Sequence, residues 1–95
     1  MILKEVNKVV LDNGIFFGDQ QAPFVLIAGP CVLEGYDRSL KIGEKVKEIT
    51  TKLGIPYVYK ASFDKANRSS LNSYRGPGLE EGLDLLQNIK DQLDI

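Results

Sequence analysis

Ninety-five residues, 43% hydrophobic and 26% charged, are enough for one small domain or for a piece of a larger one. A single cysteine excludes an internal disulfide, and the absence of histidine removes the commonest general base and the commonest metal ligand. No apolar run approaches the roughly 20 residues of a bilayer crossing, and Met1 to Gln20 lacks the basic start and apolar core of a secretory leader, so the reading expects no membrane association and a cytoplasmic location.

In chain order, Val9 to Leu11 and Ile15 to Phe17 flank Asn13-Gly14, a pair that tolerates the positive φ of a two-residue type I′ turn. An N-terminal β-hairpin within residues 1–20 is expected. The run "FVLIAGP", Phe24 to Pro30, is apolar without alternation, which is how a strand buried on both faces of a parallel sheet reads. Gly29-Pro30 ends it.

From Asp37 to Leu53, Leu40, Gly43, Val46, Ile49 or Thr50, and Leu53 recur every three or four residues, with lysines and glutamates between them. That spacing predicts an amphipathic helix capped by Asp37, closed by Gly54 in the left-handed conformation and prevented from continuing by Pro56. "YVYKASF", Tyr57 to Phe63, is the next strand, with Val58, Lys60 and Ser62 on one face and Tyr57, Tyr59, Ala61 and Phe63 on the other. After a long loop, Asp64 to Gly78, the spacing of Leu79, Leu83, Leu86, Ile89 and Leu93 predicts a second amphipathic helix.

The order hairpin, β, α, β, α belongs to an α/β architecture with helices packed outside a parallel sheet. Two parallel strands alone leave open edges and bare apolar faces. The pattern therefore reads as the N-terminal portion of a single (β/α)8 TIM barrel, incomplete as given: residues 24–54 form the first βα unit and 57–93 the second.

In such a barrel, chemistry gathers at the carboxyl ends of the strands. Cys31 and Glu34 follow the first strand there, and Lys65, Asn67, Arg68 and Arg75 follow the second. Lys60 lies within its strand; if its face points into the barrel, the buried ammonium needs an anion: a substrate phosphate or carboxylate, or a structural salt bridge. Lys65 and Arg68 read either as solvated loop cations or, beside Asn67, Ser69 and Ser70, as part of a phosphate site that an arginine can grip bidentately. Cys31 is either a small buried hydrophobe or a thiolate ligand for a divalent transition metal whose other ligands are not in this sequence. Glu34 and Asp64 receive no catalytic role, Asp64 being suited to orienting neighbouring lysines.

The segment from Lys60 to Arg75 holds four basic residues and one acidic one, so it carries +3 and the remainder −4. Positive charge concentrated in one loop suits a small anionic ligand better than nucleic acid, which asks for a broad basic face with aromatic interleaving.

Taken together, "AGPCVLE" (Ala28 to Glu34), "KASFDKANRSS" (Lys60 to Ser70) and "SYRGPGLEEGL" (Ser73 to Leu83) make the chain resemble the 3-deoxy-D-manno-octulosonate 8-phosphate (KDO-8-phosphate) synthases over essentially its whole length. The Lys-Ala-Asn-Arg-Ser-Ser run is the specific part, since the related 3-deoxy-arabino-heptulosonate 7-phosphate synthases have a Lys-Pro-Arg-Thr type of segment there.

The resemblance implies a (β/α)8 barrel, usually a homotetramer, that condenses phosphoenolpyruvate with arabinose 5-phosphate in lipopolysaccharide biosynthesis. It further implies that Lys60 and Lys65 hold phosphoenolpyruvate, with Lys65 the catalytic cation and also near the pentose. Asn67, Arg68 and Ser69 match groups that contact arabinose 5-phosphate, Arg68 reaching a neighbouring subunit's site. Cys31 matches the metal-requiring branch, which has cysteine where the metal-free branch has asparagine, so a divalent metal ion is the expected cofactor.

The alternatives are a heptulosonate-phosphate synthase relative, a truncated and non-catalytic fragment, and a free-standing phosphate-binding module. The 95 residues alone are expected to be inactive.

Overall fold

The computed structural model describes residues 8–18, 24–66 and 72–95. Its elements are β1 (Val9–Val10), β2 (Phe16–Phe17), β3 (Leu26–Ala28), α1 (Tyr36–Leu53), β4 (Tyr57–Tyr59) and α2 (Leu79–Leu93). They form a mixed α/β arrangement with two helices and two small sheets. No helix among the described residues is long and apolar enough to cross a membrane.

β1 and β2 pair antiparallel, with Val9 opposite Phe17 and Val10 opposite Phe16, as expected of a hairpin. The turn differs from the expected one. Leu11 N–H donates to Ile15 O at 2.8 Å and Gly14 N–H to Leu11 O at 3.0 Å, and Gly14 has φ 87° while Asn13 stays at negative φ. This is a three-residue loop with glycine in the positive-φ position, not a type I′ turn, which needs two positive φ angles. The Asn13 Oδ1 instead accepts the Ile15 amide at 3.1 Å, so its side chain completes the turn.

α1 starts at Tyr36 with Gly35 in the capping position and no side-chain cap. Asp37 is thus in the first turn and is not the cap. The cap is Gly35 (φ 79°), two residues earlier than expected, and the Asp37 carboxylate stands near the positive end of the helix dipole instead. The far end is as expected: Gly54 is left-handed, its amide donates to Thr51 O, and Ile55 donates to Thr50 O, closing the helix. Thr50, and not Ile49, takes the buried position of the stripe, and Leu53 is left 66% exposed.

β3 and β4 pair in parallel, Leu26 with Tyr57, Ile27 with Val58 and Ala28 with Tyr59. Residues paired this way project to the same side. Leu26, Ala28, Tyr57 and Tyr59 therefore share the helix-covered face, where a Cβ on Gly43 of α1 would stand 3.1 Å from the Tyr59 ring. Ile27 and Val58 share the other face. The expected burial of Phe24 to Pro30 on both faces does not hold among the described residues, since Phe24 is 71% and Ile27 51% exposed: the helices cover one side of the pair only.

The core lies between the helices and this face, with Val32, Leu33, Tyr57, Ile89 and Leu93 buried. Leu33 and Ile89, 0% and 1% exposed, each contribute about 1.5–3 kcal/mol by leaving water. The two helices are also tied by the Lys47 ammonium, which donates to the Leu93 carbonyl at the end of α2.

Candidate functional site

Beyond Ala28 and Tyr59 the β3/β4 ladder breaks and then resumes. Lys60 N–H donates to Ala28 O at 3.1 Å, after which Val32 bridges to Ser62, with Leu33 N–H on Ser62 O at 3.0 Å and Ser62 N–H on Cys31 O at 3.4 Å. Four steps on one strand match three on the other, so one extra residue is accommodated there in the manner of a bulge. The cause is local. Pro30 has no amide to give, and the backbones at Gly29 and Lys60 meet so closely that only glycine fits.

This break places Cys31 and Lys60 at the carboxyl ends of β3 and β4, both exposed. Lys60 continues the face of Val58 opposite the helices, as the alternation predicts. β4 is shorter than the expected Tyr57 to Phe63 for the same reason: the break comes at Lys60.

The segment after β4 turns back on itself. Lys65 N–H donates to Arg75 O at 2.7 Å, and Gly78 N–H to Phe63 O at 2.9 Å. Gly76 lies between them at φ 119°, where a Cβ would stand 2.3 Å from Phe63 O, so the return path admits only glycine. Across this neck, Arg75 Nε donates to Asp64 Oδ1 at 3.0 Å and Arg75 Nη2 to Asp64 Oδ2 at 3.2 Å, a bidentate pair. Lys65, half-buried, emerges from the same neck at the end of the sheet that carries Cys31 and Lys60.

Of the sequence-predicted site residues, Cys31, Lys60 and Lys65 are thus brought to one end of the parallel pair. Asn67, Arg68 and Ser69 lie outside the described residues. Among the described residues, neither Lys60 nor Lys65 makes an ion pair, so both ammonium groups are available to an anion. Arg75, grouped with the loop cations, is engaged by Asp64 instead. Glu34 is held by Arg38 at 2.7 Å, one helical turn on, which gives it a local structural role. No group of three or more metal-ligating side chains gathers among the described residues.

The ionisable groups that burial perturbs, Tyr57 and Tyr59, are on the helix-covered face of the sheet. Burial pushes the Tyr57 hydroxyl up to about 12, with the neighbouring Tyr59 adding to it, and burial raises Tyr59 as well, opposed by its contact with Ser39. The Tyr57 hydroxyl donates to Ala28 O at 2.9 Å, within the sheet, and the Tyr59 hydroxyl donates to Ser39 O at 3.1 Å, which ties the sheet to α1. A recess of about 380 Å3 between the hairpin, β4 and the last turns of α2 is mainly apolar and includes none of Cys31, Lys60 and Lys65.

Residues 5–95 match the model of the DAHP synthetase I family. The chain belongs to that family. Other proteins similar to this family member include the 2-dehydro-3-deoxyphosphooctonate aldolase of Fusobacterium nucleatum, 52% identical over 95 residues, which is all of this chain and 34% of that protein. The proteins of the same name from Shewanella sediminis and Shewanella amazonensis are 62% identical over 89 residues and 64% identical over 73, covering 94% and 77% of this chain and 31% and 26% of theirs. The chain thus spans about a third or less of the length of these curated relatives.

Proposed function

We propose that this member of the DAHP synthetase I family, as the complete native protein, is a KDO-8-phosphate synthase. It joins phosphoenolpyruvate to arabinose 5-phosphate with one water, giving the eight-carbon sugar acid phosphate and inorganic phosphate for lipopolysaccharide synthesis in the cytoplasm. The observation that carries this reading is the 52% identity, over every residue of the chain, to a relative named 2-dehydro-3-deoxyphosphooctonate aldolase. The Lys-Ala-Asn-Arg-Ser-Ser run at Lys65 to Ser70 supports the octulosonate over the heptulosonate reaction.

The complete domain is a (β/α)8 barrel in this reading. Support comes from the alternation of β3, α1, β4 and α2, and from the exposed Ile27 face of the parallel pair, which further strands would cover. Lys60 and Lys65 then stand at the carboxyl end of the barrel, where two ammonium groups without ion partners among the described residues suit the carboxylate and phosphate of phosphoenolpyruvate. Carbon 3 of phosphoenolpyruvate attacks the sugar aldehyde, water adds at carbon 2, and the tetrahedral intermediate expels phosphate. Fixed cations are required throughout, because the negative charge of a carboxylate and two phosphates must be held while an oxocarbenium-like centre forms. Lys65 serves as the catalytic cation. Asn67, Arg68 and Ser69 take the pentose phosphate, with Arg68 serving a neighbouring subunit of a homotetramer.

Cys31 fits the metal-requiring branch: its thiol is exposed at a strand end, and a thiolate is a soft donor suited to a divalent transition metal. It would supply one ligand, with the others contributed by later parts of the barrel. When bound, the ion would position the water or the sugar aldehyde. Product analysis tests the reading: an eight-carbon acid phosphate is expected from the pentose phosphate. Equal or better turnover of the four-carbon aldose phosphate required by a seven-carbon product would instead make the protein a heptulosonate-phosphate synthase.

A further inference from the structure

The neck of the cationic loop holds a charge arrangement that the proposed reaction does not itself require. Arg75 grips two consecutive residues at once: its carbonyl accepts the Lys65 amide at 2.7 Å, and its guanidinium engages both carboxylate oxygens of Asp64 at 3.0 and 3.2 Å. Asp64 is the only acidic residue between Lys60 and Arg75, and its Cα is about 3.8 Å from that of Lys65. Left unpaired, that carboxylate would be a negative charge on the residue next to the one that holds the anion. It would repel the anion and compete for the ammonium. Paired with Arg75 in fork geometry, it is neutralised and pointed at the guanidinium.

The geometry points to Arg75 as a positioning residue that takes the Asp64 charge away from Lys65, so that the Lys65 ammonium acts on an anionic substrate without an adjacent carboxylate opposing it. This rests on the reading of Lys65 as a phosphoenolpyruvate-binding group. The role assigned to Arg75 is the pairing of Asp64 through Nε and Nη2, not contact with the substrate. The pair is more than half exposed on the arginine side, so its effect on folding stability is small. Its consequence is for the field at Lys65.

The test is a mutant cycle in the complete native enzyme, read as KM for phosphoenolpyruvate against kcat. Arg75→Gln frees Asp64 and is expected to raise that KM about tenfold, with a smaller change in kcat. Asp64→Asn removes the charge at its source, so alone it should leave KM within about twofold, and added to Arg75→Gln it should return KM to within about threefold of the wild type. A neck that acted only as a structural clamp would give no such rescue, because the double variant has lost the clamp as well. A double variant as impaired as Arg75→Gln overturns the proposal, as does a tenfold rise in KM from Asp64→Asn alone; the latter can be read even if Arg75→Gln does not fold. Lys65→Ala separates the two levels. If it keeps wild-type KM and kcat, the role of Lys65 fails and this inference fails with it; if it is impaired but the rescue is missing, only the inference fails.

Discussion

Gly29 and Lys60 meet so closely that a Cβ at position 29 would stand 1.9 Å from the Lys60 carbonyl oxygen. The contact joins the two strands at the point where the parallel ladder breaks, and it sets where Lys60 leaves the sheet. Because the obstacle is backbone and not a flexible side-chain tip, Gly29→Ala must push the strands apart. An expected cost of about 2–3 kcal/mol follows, with weakened phosphoenolpyruvate binding through Lys60. Chemical denaturation and KM measured on the same variant check both parts; an unchanged midpoint would show that the strands separate freely.

Lys65 is fixed through its main chain by Arg75, while its ammonium has no ion partner among the described residues. Lys65→Ala should therefore remove a charge-assisted contact with little effect on folding. We expect a loss of about 2–4 kcal/mol of transition-state stabilisation, some 30- to 1,000-fold in kcat/KM. Wild-type turnover would refute the role.

For Cys31, the expectation is that a chelator abolishes activity and that added divalent metal restores it, whereas in Cys31→Ala the same addition restores little. The exposed thiol at the strand end is the basis. Chelator resistance of the wild type would place the protein in the metal-free mode of action.

Tyr57 gives a pH prediction with a definite sign. Its hydroxyl titrates near 10.0 in an unfolded chain and is pushed up to about 12 in the fold by burial and by Tyr59. The folded state therefore holds the proton more tightly, so stability is full below pH 10 and declines as pH rises from 10 towards 12. Unfolding midpoints measured across this range should fall for the wild type and fall less steeply for Tyr57→Phe; identical slopes would mean that Tyr57 is not the group responsible.

Much of the fold was legible because the local signals agree. The bounds of α2, Leu79 to Leu93, follow from five apolar residues at helical spacing, and the end of α1 from Gly54 followed by Pro56. The hairpin turn was misjudged because Asn13-Gly14 suits more than one loop: residue type permits positive φ at both positions, but the backbone hydrogen bonds from Leu11 to Ile15 use it only at Gly14. The strands were read as too long because neither the continuous apolar run of Phe24 to Pro30 nor the alternation of Tyr57 to Phe63 reveals where a ladder is interrupted. Here it is interrupted where Gly29 meets Lys60, and resumes at Val32 and Ser62.

At the site, Cys31, Lys60 and Lys65 could be found from their places after or within strands, since strand order alone brings them to one end. The Asp64–Arg75 pair could not. It spans eleven positions and depends on the loop returning through Gly76, so sequence showed only opposite charges in one segment. Of the four basic residues from Lys60 to Arg75, Arg75 is thus paired with Asp64, while Lys60 and Lys65 make no ion pair among the described residues.

The most direct test of the central claim is phosphate release by the complete native protein, mixed with phosphoenolpyruvate and arabinose 5-phosphate together and with each alone. The account predicts release of inorganic phosphate in step with loss of both substrates, and none with either alone. No release from the mixture, with the metal requirement satisfied, would contradict it.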